Sequence, residues 1–140
     1  MTQLHRYGEE DASFRAAGGE DGIRRLVDDF YEWMDELPEA RRIRGMHPTD
    51  LSTSTDKLAR FLCGWLGGPK RYHEKYGSIS IPGVHRHLPI RSDERDAWLT
   101  CMERAIAQQR FADDFKRYLL EQLGVPAERI RRACEDEPRV

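Results

Sequence analysis

The chain has 140 residues, 23 of them basic and 25 acidic, for a formal net charge of −2. That length suits a single domain spanning 1–140, able to bury roughly two-thirds of its unfolded surface. Charges of both signs are mixed along the chain, which argues against nucleic acid or an anionic membrane as partner, because neither sign is concentrated enough to build a strong field.

The polar start, to about Glu10, reads as a loosely held tail. Its first residues, Met1 to Arg6, lack the apolar core of a secretory signal, and no apolar run reaches membrane length. Gly18-Gly19 breaks the chain, and Glu20-Asp21 then place negative charge at a helix start. Ile23, Leu26, Val27, Phe30, Tyr31 and Met34 follow at helical spacing as one apolar stripe. Pro38 ends that helix and opens a short one from Glu39 to Arg44. His47-Pro48-Thr49-Asp50 forms a corner, because Pro48 disfavours helix at His47. A second long helix is predicted from Ser52 to Leu66, with Leu58, Phe61, Leu62 and Trp65 on one face, stopped by Gly67-Gly68-Pro69.

Periodicity fails from Lys70 to Ile90, where Gly77, Pro82, Gly83 and Pro89 leave room for short helical turns at most. Two further helices are expected, Asp93 to about Gln108 and Phe111 to Leu123, with a last turn from Ala127 to Ala133 and a tail from Cys134 to Val140. The irregular stretch of about twenty residues is long for a small helical domain, unless an ordered ligand packs against it. Cys63, Cys101 and Cys134 are odd in number and lack a CxxC pair, so the expectation is ordinary thiols and a cytoplasmic location.

Five histidines carry the candidate chemistry. His5 and His73 lie in polar surroundings and read as solvated. His85 and His87 sit two apart in the irregular stretch, where an extended backbone would point both the same way and allow a shared zinc. A closed zinc site wants about four N or S ligands, and no cysteine or carboxylate cluster lies near. A haem needs only one neutral imidazole, because the porphyrin supplies the other equatorial nitrogens. It also needs a flat apolar slot and a cation or two for its propionates. The pattern alone does not choose between such a slot and an ordinary packed core.

Several stretches resemble the group II truncated haemoglobins, a branch of the globins, over about Gly18 to Leu123. They are the Gly-Gly before Leu26-Val27-Asp28-Asp29-Phe30-Tyr31, then Met34-Asp35 and Pro38-Glu39-Ala40-Arg41. The His47-Pro48-Thr49-Asp50-Leu51 corner follows, then Phe61-Leu62-Cys63-Gly64-Trp65-Leu66-Gly67-Gly68-Pro69 and Arg95-Asp96-Ala97-Trp98-Leu99-Thr100-Cys101-Met102. The resemblance implies an all-α truncated globin, a two-over-two helical sandwich, preceded here by an N-terminal extension over residues 1–17 with Phe14 as a packing anchor. It implies haem b as cofactor.

In the family pattern the proximal histidine lies five residues before an Ile and ten before the Arg of Arg-Asp-Ala-Trp. Ile90 and Arg95 both lead back to His85, which leaves His87 a bystander. On the opposite face the resemblance places Tyr31, Trp98, His47, Ser54 and Leu58. A buried O–H or N–H there would stabilise bound O2 by about 1–3 kcal/mol. Ser54 stands where larger globins carry a distal histidine. Phe61, Trp65, Ile79, Ile81, Val84 and Met102 are candidate apolar walls. The chain departs from the family at Val84 and Pro82, where basic residues near the propionates are common. Lys57, Lys70, Arg71, Tyr72 and Arg86 are the candidates left for that role, ordinary solvation being the competing reading of Lys57.

The implied function is reversible binding of O2, NO or CO. Three uses compete: consumption of nitric oxide with O2, peroxide or other redox chemistry, and plain storage, transport or sensing. Turnover would need an external reductase, since no flavin or nicotinamide motif is present. A haem-free helical regulatory module is the reading from a different class. The mixed surface suits a monomer or dimer.

Overall fold

The computed structural model describes residues 6–78 and 80–136. Among these, every regular element is helical. Ile79 and His5 lie outside the described residues, as do residues 137–140 of the expected tail and the side chain of Val84.

The N-terminal extension holds a short helix, α1 (Ala12–Ala16). It is fastened to the body of the fold, with the Phe14 N–H donating to the Leu66 carbonyl at 3.0 Å. Gly67 makes this approach possible. Its φ of +93° suits glycine, and a β-carbon there would come within 1.8 Å of the Glu10 carbonyl oxygen. The segment before α1 is less loose than its polarity suggests. Tyr7 packs against Phe115 and Tyr118, and its hydroxyl donates to Asp114 at 2.9 Å.

The predicted apolar stripe folds as α2 (Gly19–Glu36), and Ile23, Leu26, Val27, Phe30, Tyr31 and Met34 are all buried. Leu37 turns extended ahead of Pro38, as a residue before proline should. A 3-10 turn at Pro38–Ala40 then leads into α3 (Arg41–Arg44). The next long helix is α4 (Ser52–Trp65); just before it, the Asp50 carboxylate accepts from the Ser52 N–H at 2.9 Å and the Ser52 hydroxyl at 2.6 Å. Those two bonds hold the Asp50 carboxyl below its ordinary value.

The stretch from Lys70 to Ile90 carries two short helices, α5 (Arg71–Tyr76) and α6 (Ile81–His85). Pro82 sits in the first turn of α6, where its missing N–H costs no hydrogen bond, and the Ser80 hydroxyl accepts from the Gly83 N–H at 3.2 Å. The apparent breakers Pro82 and Gly83 thus begin a helix. After it comes α7 (Ser92–Ala107).

The last helix corrects the sequence reading. A helix to Leu123, a separate turn and a tail from Cys134 were expected. Instead α8 runs unbroken from Asp113 to Asp136 with Pro126 inside it. Phe115, Leu119, Leu123, Ala127 and Cys134 form one buried face along its length. Proline in a helix interior costs about 3 kcal/mol, and burial on both sides of Pro126 offsets that cost.

Helix α2 packs against α4 and α7, and α7 packs against α8. The pairs α2–α4 and α7–α8, joined through the contact of α2 with α7, form the two-over-two sandwich. Phe30, Phe115, Met34, Leu62, Met102 and Leu119 fill its centre. Helix α5 lies on α4, and α6 lies on α8. None of the helices among the described residues is long and apolar enough to cross a membrane.

Candidate functional site

His85 ends α6, half-buried, with its Nδ1 2.8 Å from the Ile81 carbonyl oxygen. A carbonyl can only accept, so Nδ1 carries the proton and Nε2 keeps a lone pair in the neutral ring. Burial pushes the His85 pKa down. The Ile81 carbonyl works the other way, and repulsion from His47 and His87 adds to the lowering. At neutral pH His85 is therefore a neutral imidazole with one nitrogen available as a ligand.

The shared-metal reading of His85 and His87 fails on geometry. His85 closes a helix and His87 is exposed in the turn after it, so the extended backbone needed to align them is absent. Among the described residues no group of three histidine, cysteine or carboxylate side chains could hold a metal ion.

A second cluster comes from α2, the corner before α4, and α7. Tyr31 is buried on α2, which pushes its phenol pKa well above the ordinary tyrosine value. Its hydroxyl donates to the Ser54 carbonyl across a long 3.5 Å, a bond with little strength. The His47 ring stands edge-on to Tyr31 with centroids 5.7 Å apart. Its Nδ1–H donates to the Ile43 carbonyl at 2.8 Å. In its neutral form His47 thus spends its only N–H on the backbone, and Nε2 is left as an acceptor.

Phe30 joins this cluster to Trp98, its ring lying 4.9 Å from Tyr31 and 5.2 Å from Trp98. Sequence reasoning read Phe30 as plain core and missed that bridging place. Trp98 is half-buried against the core, with its ring against Phe30. Leu58 packs against the same core, one helical turn beyond Ser54.

Around the rim, Phe61 and Trp65 stack on α4 with centroids 6.4 Å apart. Lys57 is exposed, its Nζ 5.3 Å from the Tyr76 ring centre. Tyr72 lies 5.1 Å from Tyr76 on α5. Arg86 is exposed just after His85, and Met102 is fully buried in the core.

Sequence reasoning also missed Asp56. This carboxylate accepts from Arg24 at 3.0 Å, Arg60 at 2.9 Å, Lys75 at 2.9 Å and Tyr76 at 2.7 Å. It thereby ties α2, α4 and α5 together. Partial burial pushes its pKa up, but the bonds from Tyr76, Lys75, Arg24 and Arg60 outweigh that and hold the carboxyl well below the usual range. The spacing of Tyr72 and Tyr76 by one helical turn was the available signal for α5.

These residues fit a haem. One neutral imidazole lacks the further protein ligands a bare metal ion would need, which suits a group that brings four nitrogens of its own. The Trp98 indole N–H can donate but not accept, which suits a ligand that accepts.

Comparison with known proteins agrees. A family model described as bacterial-like globin matches residues 12–131. The group 2 truncated hemoglobin YjbI of Bacillus subtilis is 31% identical over 121 residues, covering 86% of this chain and 89% of that protein. The group II 2-on-2 hemoglobin of Agrobacterium tumefaciens superposes with a TM-score of 0.81 at 35% identity, over 94% of this chain and 98% of its own. The truncated oxygen-avid haemoglobin of Bacillus subtilis gives 0.76 at 30%, over 84% and 97%. The chain belongs to the bacterial-like globins, as a group II truncated haemoglobin of the family whose cofactor is haem iron.

Proposed function

We propose that this globin carries haem b on His85 and reversibly holds O2, or NO or CO, on the opposite face. The observation that carries the reading is the His85 Nδ1–H bond to Ile81, which leaves Nε2 as the one unspent nitrogen of a neutral ring. Haem held by His85 would supply an iron able to take up a diatomic ligand. Among the relatives, the oxygen-avid Bacillus subtilis protein supports O2 as the foremost ligand.

Each residue has a task in this reading. The Ile81 carbonyl fixes the tautomer and ring orientation of His85. Tyr31 and Trp98 donate to the ligand; Tyr31 stays protonated because burial resists its ionisation. His47, held by Ile43, limits how Tyr31 can turn. Ser54 and Leu58 border the ligand, Phe61 walls the slot, and Lys57, Tyr72 and Arg86 serve the propionate edge. The basic partners missing at Val84 and Pro82 make Lys57 the foremost of these.

Nitric oxide consumption is the turnover we attach to this binding. O2 and NO join as nitrate at the cost of one electron from the iron, so an external reductase must return it. The three cysteines persist as thiols, which suits a reducing cytoplasm.

The test is the visible spectrum of the purified protein, ferric, then reduced, then with CO or O2. A strong Soret band that shifts with each ligand is expected. Absence of that band after added hemin would overturn the reading in favour of a haem-free module.

A further inference from the structure

We propose that the last turns of α8 position the proximal histidine, with Cys134 as the positioning residue. The inference rests on the reading of His85 as the haem ligand.

Helix α6 is five residues long, scarcely more than one turn. A helix that short has no stability of its own, so the orientation of its last residue is imposed by what it packs on. What it packs on is α8. Cys134 is fully buried on α8, and its thiol donates to the backbone carbonyl of His85 with Sγ 3.1 Å from the oxygen. The same carbonyl accepts from the Leu88 N–H at 2.9 Å. His85 is therefore held at both ends, its ring by Ile81 and its backbone by Leu88 and Cys134. Shifting the carbonyl turns the Cα–Cβ bond that carries the ring, and with it the direction of Nε2.

The partner helix is anchored well enough to serve as a reference. Glu128, two turns before Cys134, accepts from Arg95 of α7 at 2.7 Å and from Arg131 at 2.6 Å. Those bonds hold the Glu128 carboxyl well below its ordinary value. Cys134 lies about 12 Å further along α8 than Pro126. The arrangement thus exists only because α8 continues through its proline. A helix that ended at Leu123 would not carry Cys134 to α6.

Three variants separate the hydrogen bond from simple packing. Cys134→Val keeps apolar bulk and loses the donor, Cys134→Ser keeps a donor, and Cys134→Ala loses both. The first readout is the iron–histidine stretching frequency of the reduced, ligand-free holoprotein by resonance Raman. The second is the rate of hemin transfer to an excess of a haem-scavenging globin. The third is hydrogen exchange at the Leu88 amide of the hemin-free chain. Val and Ala are expected to shift the stretch, to release hemin roughly two- to tenfold faster, and to deprotect Leu88, while Ser stays close to wild type.

A wild-type stretch and release rate in Cys134→Val would overturn the proposal, since packing alone would then suffice. So would a Ser variant that behaves like Val. A wild-type protein with no Soret band would instead defeat the His85 reading. In that case Leu88 exchange, which needs no haem, still reports on the Cys134 contact.

Discussion

Tyr31 and His47 meet edge to face, and the backbone bond of His47 decides what each can do for a ligand. With Nδ1–H donated to Ile43, neutral His47 offers only an acceptor, so it can steer the Tyr31 hydroxyl but cannot replace it. In the proposed function this leaves Tyr31 and Trp98 as the donors to a bound gas. The Tyr31 hydroxyl is held so weakly by Ser54 that reorienting it costs the protein little.

Trp98→Leu should raise the O2 dissociation rate about tenfold, the loss of one good hydrogen bond. Stopped-flow displacement of O2 by CO measures it. An unchanged rate would remove Trp98 from the donor set.

Tyr31→Phe should also speed O2 release, while its unfolding free energy changes by less than about 1 kcal/mol because the bond to Ser54 is long. Urea denaturation of the hemin-free chain checks the second half. The raised phenol pKa also carries a pH dependence. Unfolded Tyr31 would ionise near pH 10, while the folded residue resists, so its stabilising share is complete below about pH 10 and declines above it. Stability of Tyr31→Phe should fall less steeply than wild type in that range.

His85→Gly should lose stable hemin at neutral pH and regain a Soret band when imidazole is supplied from solution. The cavity left by the side chain is the proximal slot, and free imidazole can fill it. Retention of an unchanged spectrum without imidazole would show that another residue holds the iron.

Asp56→Asn should destabilise the fold by about 1–3 kcal/mol at pH 7, because Arg24, Arg60 and Lys75 lose their common carboxylate. The folded pKa of Asp56 lies below the unfolded one. Its contribution is therefore present above about pH 4 and is lost as pH falls further. Chemical denaturation between pH 3 and pH 7, at roughly unit steps, should show a flatter acid limb in the variant than in wild type.

Pro126→Ala should raise the midpoint of thermal unfolding, with a gain of up to about 3 kcal/mol, by restoring the N–H that interior proline removes from α8. A lowered midpoint would mean that α8 depends on the local geometry proline imposes.

The long helices were legible because their apolar residues recur at helical spacing. The stripe from Ile23 to Met34 is buried as that spacing requires, whereas α4 buries Ala59, Leu62 and Cys63 and leaves Leu58, Phe61 and Trp65 of its expected face half-buried. The proximal histidine was legible only through the ordered motifs around it, since one imidazole among five carries no pattern of its own. The short turns expected between Lys70 and Ile90 are α5 and α6, the latter opened by Pro82, while the helix expected to end at Leu123 runs on through Pro126. A local rule assigns a proline its cost but not what offsets that cost, which comes from residues far along the chain.

By itself, then, the sequence determined the helical class and most of the buried faces, and its ordered motifs pointed to His85, Tyr31 and Trp98 as the residues proposed for the haem site. Only the tertiary structure decided how those residues act. It spent the His47 N–H on Ile43, set Phe30 between Tyr31 and Trp98, gathered three helices on Asp56, and set Cys134 against the backbone of His85. The reason is physical. Periodicity records which way a side chain faces, a local property of the backbone, whereas a hydrogen bond depends on where two distant segments meet.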